Sequence, residues 1–145
     1  MTEEQHIKAL SKIVNYLETR GFTVKLNSNT FGYYEEEQLI TAPTRAQGTV
    51  NMIIGLLHEA GHTEQSASSF SQLRKSIKRD KAIIAEQEYT AWYYGWQIAE
   101  ELHITTKELQ TQYRKSWLLY WTQYIERLYK DEDHKWCDSV IAVYI

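Results

Sequence analysis

The feature that most constrains this chain is an apolar helix that ends in two histidines. A run of apolar residues leads directly into the pattern H-E-x-x-H at residues 58–62. Side chains four residues apart project from one face of an α-helix, so His58 and His62 can share a metal ion, while Glu59 lies about 100° around the helix. Burying these polar groups is costly unless something satisfies them. The segment therefore predicts a buried helix over residues 49–63 that supplies part of a metal site.

The spacing of the motif gives its three polar side chains different roles. A catalytic zinc ion is typically held by three protein ligands and keeps one position open for water. Glu59 is placed to face that water without binding the metal itself, as a general base requires. The motif therefore predicts His58 and His62 as ligands of Zn²⁺ and Glu59 as the catalytic residue.

Length, charge and cysteine usage limit the class of protein. A chain of 145 residues can build one domain with a substantial core but not two, so we predict a single domain over residues 1–145. The net charge of -3 gives no general attraction to nucleic acid or to membranes, and we expect neither as a partner. The single cysteine, Cys137, excludes an intrachain disulfide, and the polar N-terminal segment lacks the apolar run of a signal peptide. We therefore expect a cytoplasmic protein; the sequence does not indicate an oligomeric state.

Hydrophobic periodicity predicts a helix-rich α+β fold. Apolar residues at helical spacing indicate a helix over residues 3–20 that stops at Gly21. Residues 22–42 alternate between apolar and polar side chains and are interrupted by turns, which predicts a small antiparallel β-meander before the motif helix. Two further long helices are predicted, over residues 82–103 and from about residue 105 onwards. The last helix carries a stripe that we expect in the core: Leu109, Tyr113, Trp117, Tyr120, Tyr124 and Leu128.

The third metal ligand must come from outside the motif. A longer version of the motif has a glycine three residues after the second histidine and a third histidine six residues after it, but Gln65 and Ser68 stand there. The helix over residues 82–103 offers two candidates, Glu86 and Glu88. At 100° per residue, Glu86 falls on the polar face, whereas Glu88 falls in the middle of the apolar face.

Two arguments favour Glu88 over Glu86. A carboxylate within an apolar stripe needs a partner, and a metal ion is a suitable one. Small residues at Ala91, Gly95 and Ala99 would also let this helix approach another backbone as closely as a glutamate ligand requires. We therefore assign Glu88 as the third ligand, with Glu86 as the other candidate and a buried Glu88 paired with Lys or Arg as the alternative without a metal.

A family resemblance appears at this point. His58-Glu59-Ala60-Gly61-His62, followed 26 residues later (88 minus 62) by a glutamate on a second helix, resembles the glutamate-zinc, or gluzincin, class of metallopeptidases. More narrowly, it resembles the compact single-domain members of bacterial and phage genomes, the minigluzincin type. The run over residues 88–99 is similar to the glutamate helix of small phage-type proteins, and the resemblance covers about residues 48–103.

The resemblance implies a zinc-dependent hydrolase that cleaves peptide bonds. Its metal ligands would be His58, His62 and Glu88, with Glu59 as the catalytic base. Members of the class also place an edge strand beside the cleft to bind a peptide or protein substrate in extended form. By this resemblance, residues 38–42 would form that strand.

Two departures from the family pattern favour a second class of function. Gluzincins usually supply a tyrosine or histidine that steadies the oxyanion, and the eleven tyrosines of this chain do not single one out. The larger members also carry a supporting carboxylate four residues after the glutamate ligand, where this chain has Trp92. The alternative is a zinc-binding regulatory module, related to phage proteins, in which hydrolysis is absent or confined to one partner.

Overall fold

The structure, a computed structural model, describes residues 2–43, 49–65 and 81–128. The elements in chain order are α1 (Glu3–Thr19), β1 (Thr23–Ser28), β2 (Gly32–Tyr34), β3 (Leu39–Pro43), α2 (Thr49–Thr63), α3 (Lys81–Glu101) and α4 (Lys107–Leu128). The four helices and the three-stranded sheet of the described residues confirm the prediction of a helix-rich α+β fold. Cys137 lies outside the described residues.

The first helix begins and ends as its sequence predicts. Thr2 and Gln5 form a capping box, in which each side chain accepts a hydrogen bond from the backbone N–H of the other residue. Gly21 follows the last turn with a φ of 91°, a left-handed conformation that glycine adopts without a steric penalty. The buried face of α1 packs against α2, so α1 forms one wall around the motif helix.

The sheet is mixed, and the predicted antiparallel meander is wrong. β3 is the central strand, since it pairs with β1 in parallel and with β2 in the antiparallel direction. Alternation of apolar and polar residues reports which face of a strand is buried but not which strands pair, so the periodicity left the topology undetermined. Because both edges of β3 are occupied, the predicted substrate strand over residues 38–42 is also wrong. The sheet edge that borders the cleft described below is β2.

The motif helix α2 lies at the centre of the fold and packs against α1, β3 and α3. Its close contact with α3 depends on glycines, as the small residues of both helices predict. A Cβ atom at Gly61 would overlap the backbone carbonyl of Ala91, and one at Gly95 would overlap the backbone carbonyl of Leu57. The two backbones therefore touch at two points that lie one turn apart on the same face of α2.

The aromatic stripe of α4 is divided between the core and a cleft. Leu109 and Tyr113 are buried as predicted, and the Tyr113 hydroxyl donates a hydrogen bond to the backbone carbonyl of Trp92. Tyr120, by contrast, is 37% exposed and lines the cleft, so its placement in the core was wrong. The side chains of the last two stripe residues, at positions 124 and 128, lie outside the described part of the chain. Within that part, none of the helices has both the length and the apolar character needed to cross a bilayer.

Candidate metal centre

Three side chains converge where α2 meets α3. His58 Nε2 lies 3.1 Å from Glu88 Oε2, and His62 Nε2 lies 3.6 Å from the same oxygen. One donor atom from each residue lies within 4.8 Å of the other two. In a tetrahedral zinc site with bonds of about 2.0–2.1 Å, two donor atoms lie about 3.3–3.5 Å apart, so the observed spacings fit one small cation. Across the described ranges, no other group of three or more potential ligands has this geometry.

The packing of the two helices accounts for this convergence. His58 and His62 are one turn apart on α2, and their rings meet edge to face with centroids 4.9 Å apart. Gly61 lies between them in the chain, at the point of backbone contact with Ala91. Glu88 precedes Ala91 by about one turn of α3, so its short side chain reaches both imidazoles.

The site is polarised strongly even in the absence of an ion. Burial alone would raise the pKa of Glu88, but hydrogen bonds from His58 and His62 hold it well below its usual range. Burial would likewise lower the pKa of His62, but the Glu88 carboxylate raises it to about 9. The raised pKa of His62 favours an imidazolium beside the Glu88 carboxylate, so a cation that binds to His62 has to displace a proton.

Glu59 lies in the same cleft but outside the ligand cluster. Its side chain is buried, with the residue 8% exposed, and it lines the cleft beside both histidines. Burial raises the pKa of Glu59, and the charges of His58 and His62 make this increase smaller. A carboxylate with a raised pKa next to a water-binding position is a stronger proton acceptor than an exposed one.

The choice between the two glutamates of α3 is decided only in part. Glu88 lies where the helical-face argument puts it, and its face also carries buried Ala91, Gly95 and Ala99. Its side chain is 24% exposed toward the cleft. The side chain of Glu86, the other candidate, lies outside the described part of the chain.

The cleft in front of the histidines has a volume of about 530 Å³. This falls within the range of small-molecule and peptide sites, about 300–1,000 Å³. Its walls are mostly aromatic and apolar, and they come from the β2 side of the sheet, from α2, α3 and α4: Phe31, Tyr33, Ile54, Trp92, Leu119 and Tyr120. The Tyr33 ring stacks on His62, with centroids 5.6 Å apart, and the Tyr120 ring lies 5.5 Å from that of His58. Tyr33 and Tyr120 are therefore the tyrosines whose rings pack against the two candidate histidine ligands.

The two histidines are supported unequally. His62 Nδ1 lies 2.9 Å from Gln65 Oε1, a contact that the sequence argument missed, since it used Gln65 only to exclude the longer motif. His58 Nδ1 is buried and, within the described ranges, has no hydrogen-bond partner. Trp92 packs against the His58 ring instead, with centroids 4.6 Å apart, at the position where larger gluzincins have a carboxylate. The donor set fits zinc, and only one of its two imidazoles is oriented by a hydrogen bond from its second nitrogen.

Comparisons of the chain with protein-family models, with curated proteins and with solved structures find no significant match. The gluzincin resemblance therefore depends on the motif residues alone. The function has to be argued from the geometry and chemistry of the site itself.

Proposed function

We propose that this protein is a zinc-dependent metallopeptidase that hydrolyses peptide bonds. The observation that supports the proposal is the convergence of His58, His62 and Glu88 on one small volume, with Glu59 in the same cleft. The same three-residue donor set also serves non-haem iron, and the H-E-x-x-H glutamate beside it is what favours zinc and hydrolysis. A cytoplasmic location remains part of this proposal.

The residues of the chain have separate roles in the proposed reaction. A zinc ion held by His58, His62 and Glu88 would lower the pKa of a water and polarise the carbonyl to be attacked. The oxygen of this water bonds to the peptide carbonyl carbon, and Glu59 accepts the proton that the water loses. The C–N bond then breaks, and Glu59 returns that proton to the leaving amine.

The cleft suits a peptide or protein segment bound in an extended form. β2 pairs with β3 on one side only within the described sheet, and Gly32 and Tyr33 of this strand line the cleft. An extended peptide can add to such a strand edge through its backbone, with side chains in neighbouring depressions. The apolar walls supplied by Phe31, Ile54 and Leu119 would hold uncharged side chains.

The proposal is tested by comparing Glu59→Gln with the parent protein. Elemental analysis first establishes whether one zinc ion, rather than iron, is bound per chain. A mixture of unrelated peptides, read by mass spectrometry, then reports cleavage. We expect Glu59→Gln to keep the zinc and to lose about 10²–10⁴-fold in hydrolysis, the usual worth of a general base.

A matched control is Glu100→Gln, which makes the same chemical change at an exposed position of α3. This variant should cleave at the parental rate. Parental cleavage by Glu59→Gln would reject Glu59 as the base. Absence of zinc from the gently purified parent would reject the metal site.

The second candidate is a zinc-binding regulatory module with restricted or no hydrolysis. The observation that favours it is the buried His58 Nδ1 without a hydrogen-bond partner among the described residues, beside Trp92. A ligand histidine without an acceptor behind it is less basic and less well oriented. Stoichiometric zinc together with no cleavage of any peptide in the mixture would favour the module over a general peptidase.

A further inference from the structure

The segment that follows α2 is held on both sides. Past Thr63, the chain turns back through hydrogen bonds from Glu64 N to Gly61 O at 3.2 Å and from Gln65 N to His62 O at 3.2 Å. On the α1 side, the Glu64 carboxylate accepts a hydrogen bond from the Tyr16 hydroxyl at 2.6 Å and pairs with Arg20 at 2.9 Å. On the α3 side, the side-chain amide of Gln65 is hydrogen-bonded to Gln87 and Thr90. The turn is thus fixed between two helices, with Gln65 beside His62.

The hydrogen bonds of Gln65 define which way its amide group faces. Gln65 Nε2 donates to the backbone carbonyl of Gln87 at 2.8 Å and to Thr90 Oγ1 at 2.9 Å. The Thr90 hydroxyl donates its own proton to the same Gln87 carbonyl at 3.0 Å, so its oxygen accepts from Gln65. The reversed amide would place the Gln65 oxygen against the Gln87 carbonyl oxygen, with no proton between them. Gln65 Oε1 therefore faces His62.

This orientation selects the tautomer of His62. An amide oxygen can only accept, so His62 Nδ1 must carry a proton and donate it to Gln65 Oε1 across 2.9 Å. In the neutral imidazole, which is the form that a cation binds, the other nitrogen, Nε2, is then unprotonated, and it is Nε2 that lies on the Glu88 side. The same glutamine is bound to Gln87 and Thr90, which flank Glu88 on α3. The Gln65 side chain thereby determines which nitrogen of His62 is free to bind a metal, and it also connects His62 to the helix that carries Glu88.

We propose that Gln65 is a positioning residue of the metal site: it holds His62 in the tautomer that presents Nε2 and ties this ligand to the helix of Glu88. The inference rests on the proposed metal site but not on hydrolysis. It gives position 65, three residues after the motif, a role that the gluzincin pattern does not assign.

Three variants separate the two parts of this role. Gln65→Leu removes every hydrogen bond of the amide at similar length. Gln65→Glu keeps an acceptor for the His62 Nδ1 proton but removes both donors to α3. Thr90→Val removes one of the two ties to α3 and leaves the His62 contact intact. The full chain is used throughout, and thermal unfolding of the metal-free proteins establishes that each variant is folded.

The readouts are metal affinity and the state of the His62 ring. Zn²⁺ affinity is measured by competition with a chelator, and the absorption spectrum of the Co²⁺-loaded protein reports the ligand geometry. We expect Gln65→Leu to bind Zn²⁺ about 10–100-fold more weakly, as for other residues that orient a ligand histidine, and the other two variants to stay within about 3-fold of the parent. In proton NMR of the zinc-loaded protein, the His62 Nδ1–H should exchange slowly in the parent and in Gln65→Glu, but rapidly in Gln65→Leu.

Each other outcome overturns a stated part of the reasoning. Parental Zn²⁺ affinity in Gln65→Leu overturns the positioning role. Equal weakening of Gln65→Leu and Gln65→Glu, with slow Nδ1–H exchange in neither, overturns the tautomer argument and leaves only an interhelix tie. Failure of the parent itself to bind Zn²⁺ rejects the proposed function together with this inference. A parent that binds Zn²⁺ but cleaves no peptide in the mixture favours the regulatory module over a general peptidase and leaves the role of Gln65 standing.

Discussion

Gly61→Ala tests whether backbone contact between α2 and α3 sets the spacing of the ligands. A Cβ at this position would lie 2.7 Å from the Ala91 carbonyl carbon and 2.9 Å from the Gly95 nitrogen, and closer still to the Ala91 oxygen. Restoring ordinary contacts of about 3.5 Å requires the helices to separate by at least about 1 Å, because the Ala91 oxygen is the atom that has to move furthest from the new Cβ. Overpacking of this kind costs about 1–3 kcal/mol, while alanine gains about 1 kcal/mol over glycine in helix propensity. We therefore expect a net loss of about 1 kcal/mol in the metal-free protein.

The effect on zinc should be larger than the effect on stability. Metal–ligand distances tolerate a deviation of about 0.2 Å, so a 1 Å displacement of α3 removes Glu88 from the coordination sphere. At a free zinc concentration about 1,000 times the parental Kd, zinc stabilises the parent by about 4 kcal/mol, whereas a 100-fold weaker variant gains only about 1.4 kcal/mol. Chemical denaturation of both proteins, with and without zinc, measures how much zinc raises the free energy of unfolding of each; this gain is called the zinc increment below.

Gly55→Ala is the matched control for this experiment. It lies on the same helix, but a Cβ there meets the Phe31 ring in the cleft wall rather than the backbone of α3. This variant should keep the full zinc increment even if Phe31 has to move. A Gly61→Ala protein that is more stable than the parent and keeps the full zinc increment would refute the argument, because it would show that the helices accommodate the methyl group without moving Glu88.

Two further predictions follow from the charges and the aromatic groups of the site. Because the pKa of metal-free His62 is raised from 6.5 to about 9, its stabilising ion pair is complete below pH 6.5 and is lost as the pH rises through about 9. Apparent zinc affinity should therefore rise about tenfold per pH unit across this window and level off above it; a flat profile in chelator competition would contradict the His62 shift. If a cleft tyrosine steadies the oxyanion, Tyr120→Phe or Tyr33→Phe should lower kcat by about 10²–10³-fold with little change in zinc content. Parental kcat in both variants would exclude a tyrosine in this role.

The parts of the fold that the sequence predicts are those governed by local periodicity. The bounds of α2 agree with the predicted 49–63, and the buried face of α3 includes Glu88 and its small neighbours, because helix geometry alone decides which residues share a face. The same helical-face argument predicts Glu88 as a candidate ligand, since a carboxylate on an apolar face needs a partner of opposite charge.

The parts that sequence reasoning missed depend on contacts between distant segments. The parallel pairing of β1 with β3 cannot be read from alternation, because one strand pattern serves both pairing directions. Tyr120 belongs to a stripe whose first two members, Leu109 and Tyr113, are buried, whereas Tyr120 itself lines the cleft and is exposed. In the sequence, Gln65 is an ordinary polar residue in a turn, because only the folded structure brings it within hydrogen-bonding distance of Gln87 and Thr90. Its position three residues after a candidate ligand was the one available signal, since i and i+3 side chains are neighbours at a helix end.

The contacts between α2 and α3 indicate how much a bound metal ion would add to the stability of the fold. The contact of Gly61 with Ala91 and the hydrogen bond from Gln65 to the Gln87 carbonyl join the two helices through protein atoms alone. The Glu88 carboxylate lies against two imidazoles, so it is not an uncompensated charge. We therefore predict that a cation that binds there displaces a proton and is not needed for folding, unlike the metal of structural zinc sites whose proteins are unfolded without it.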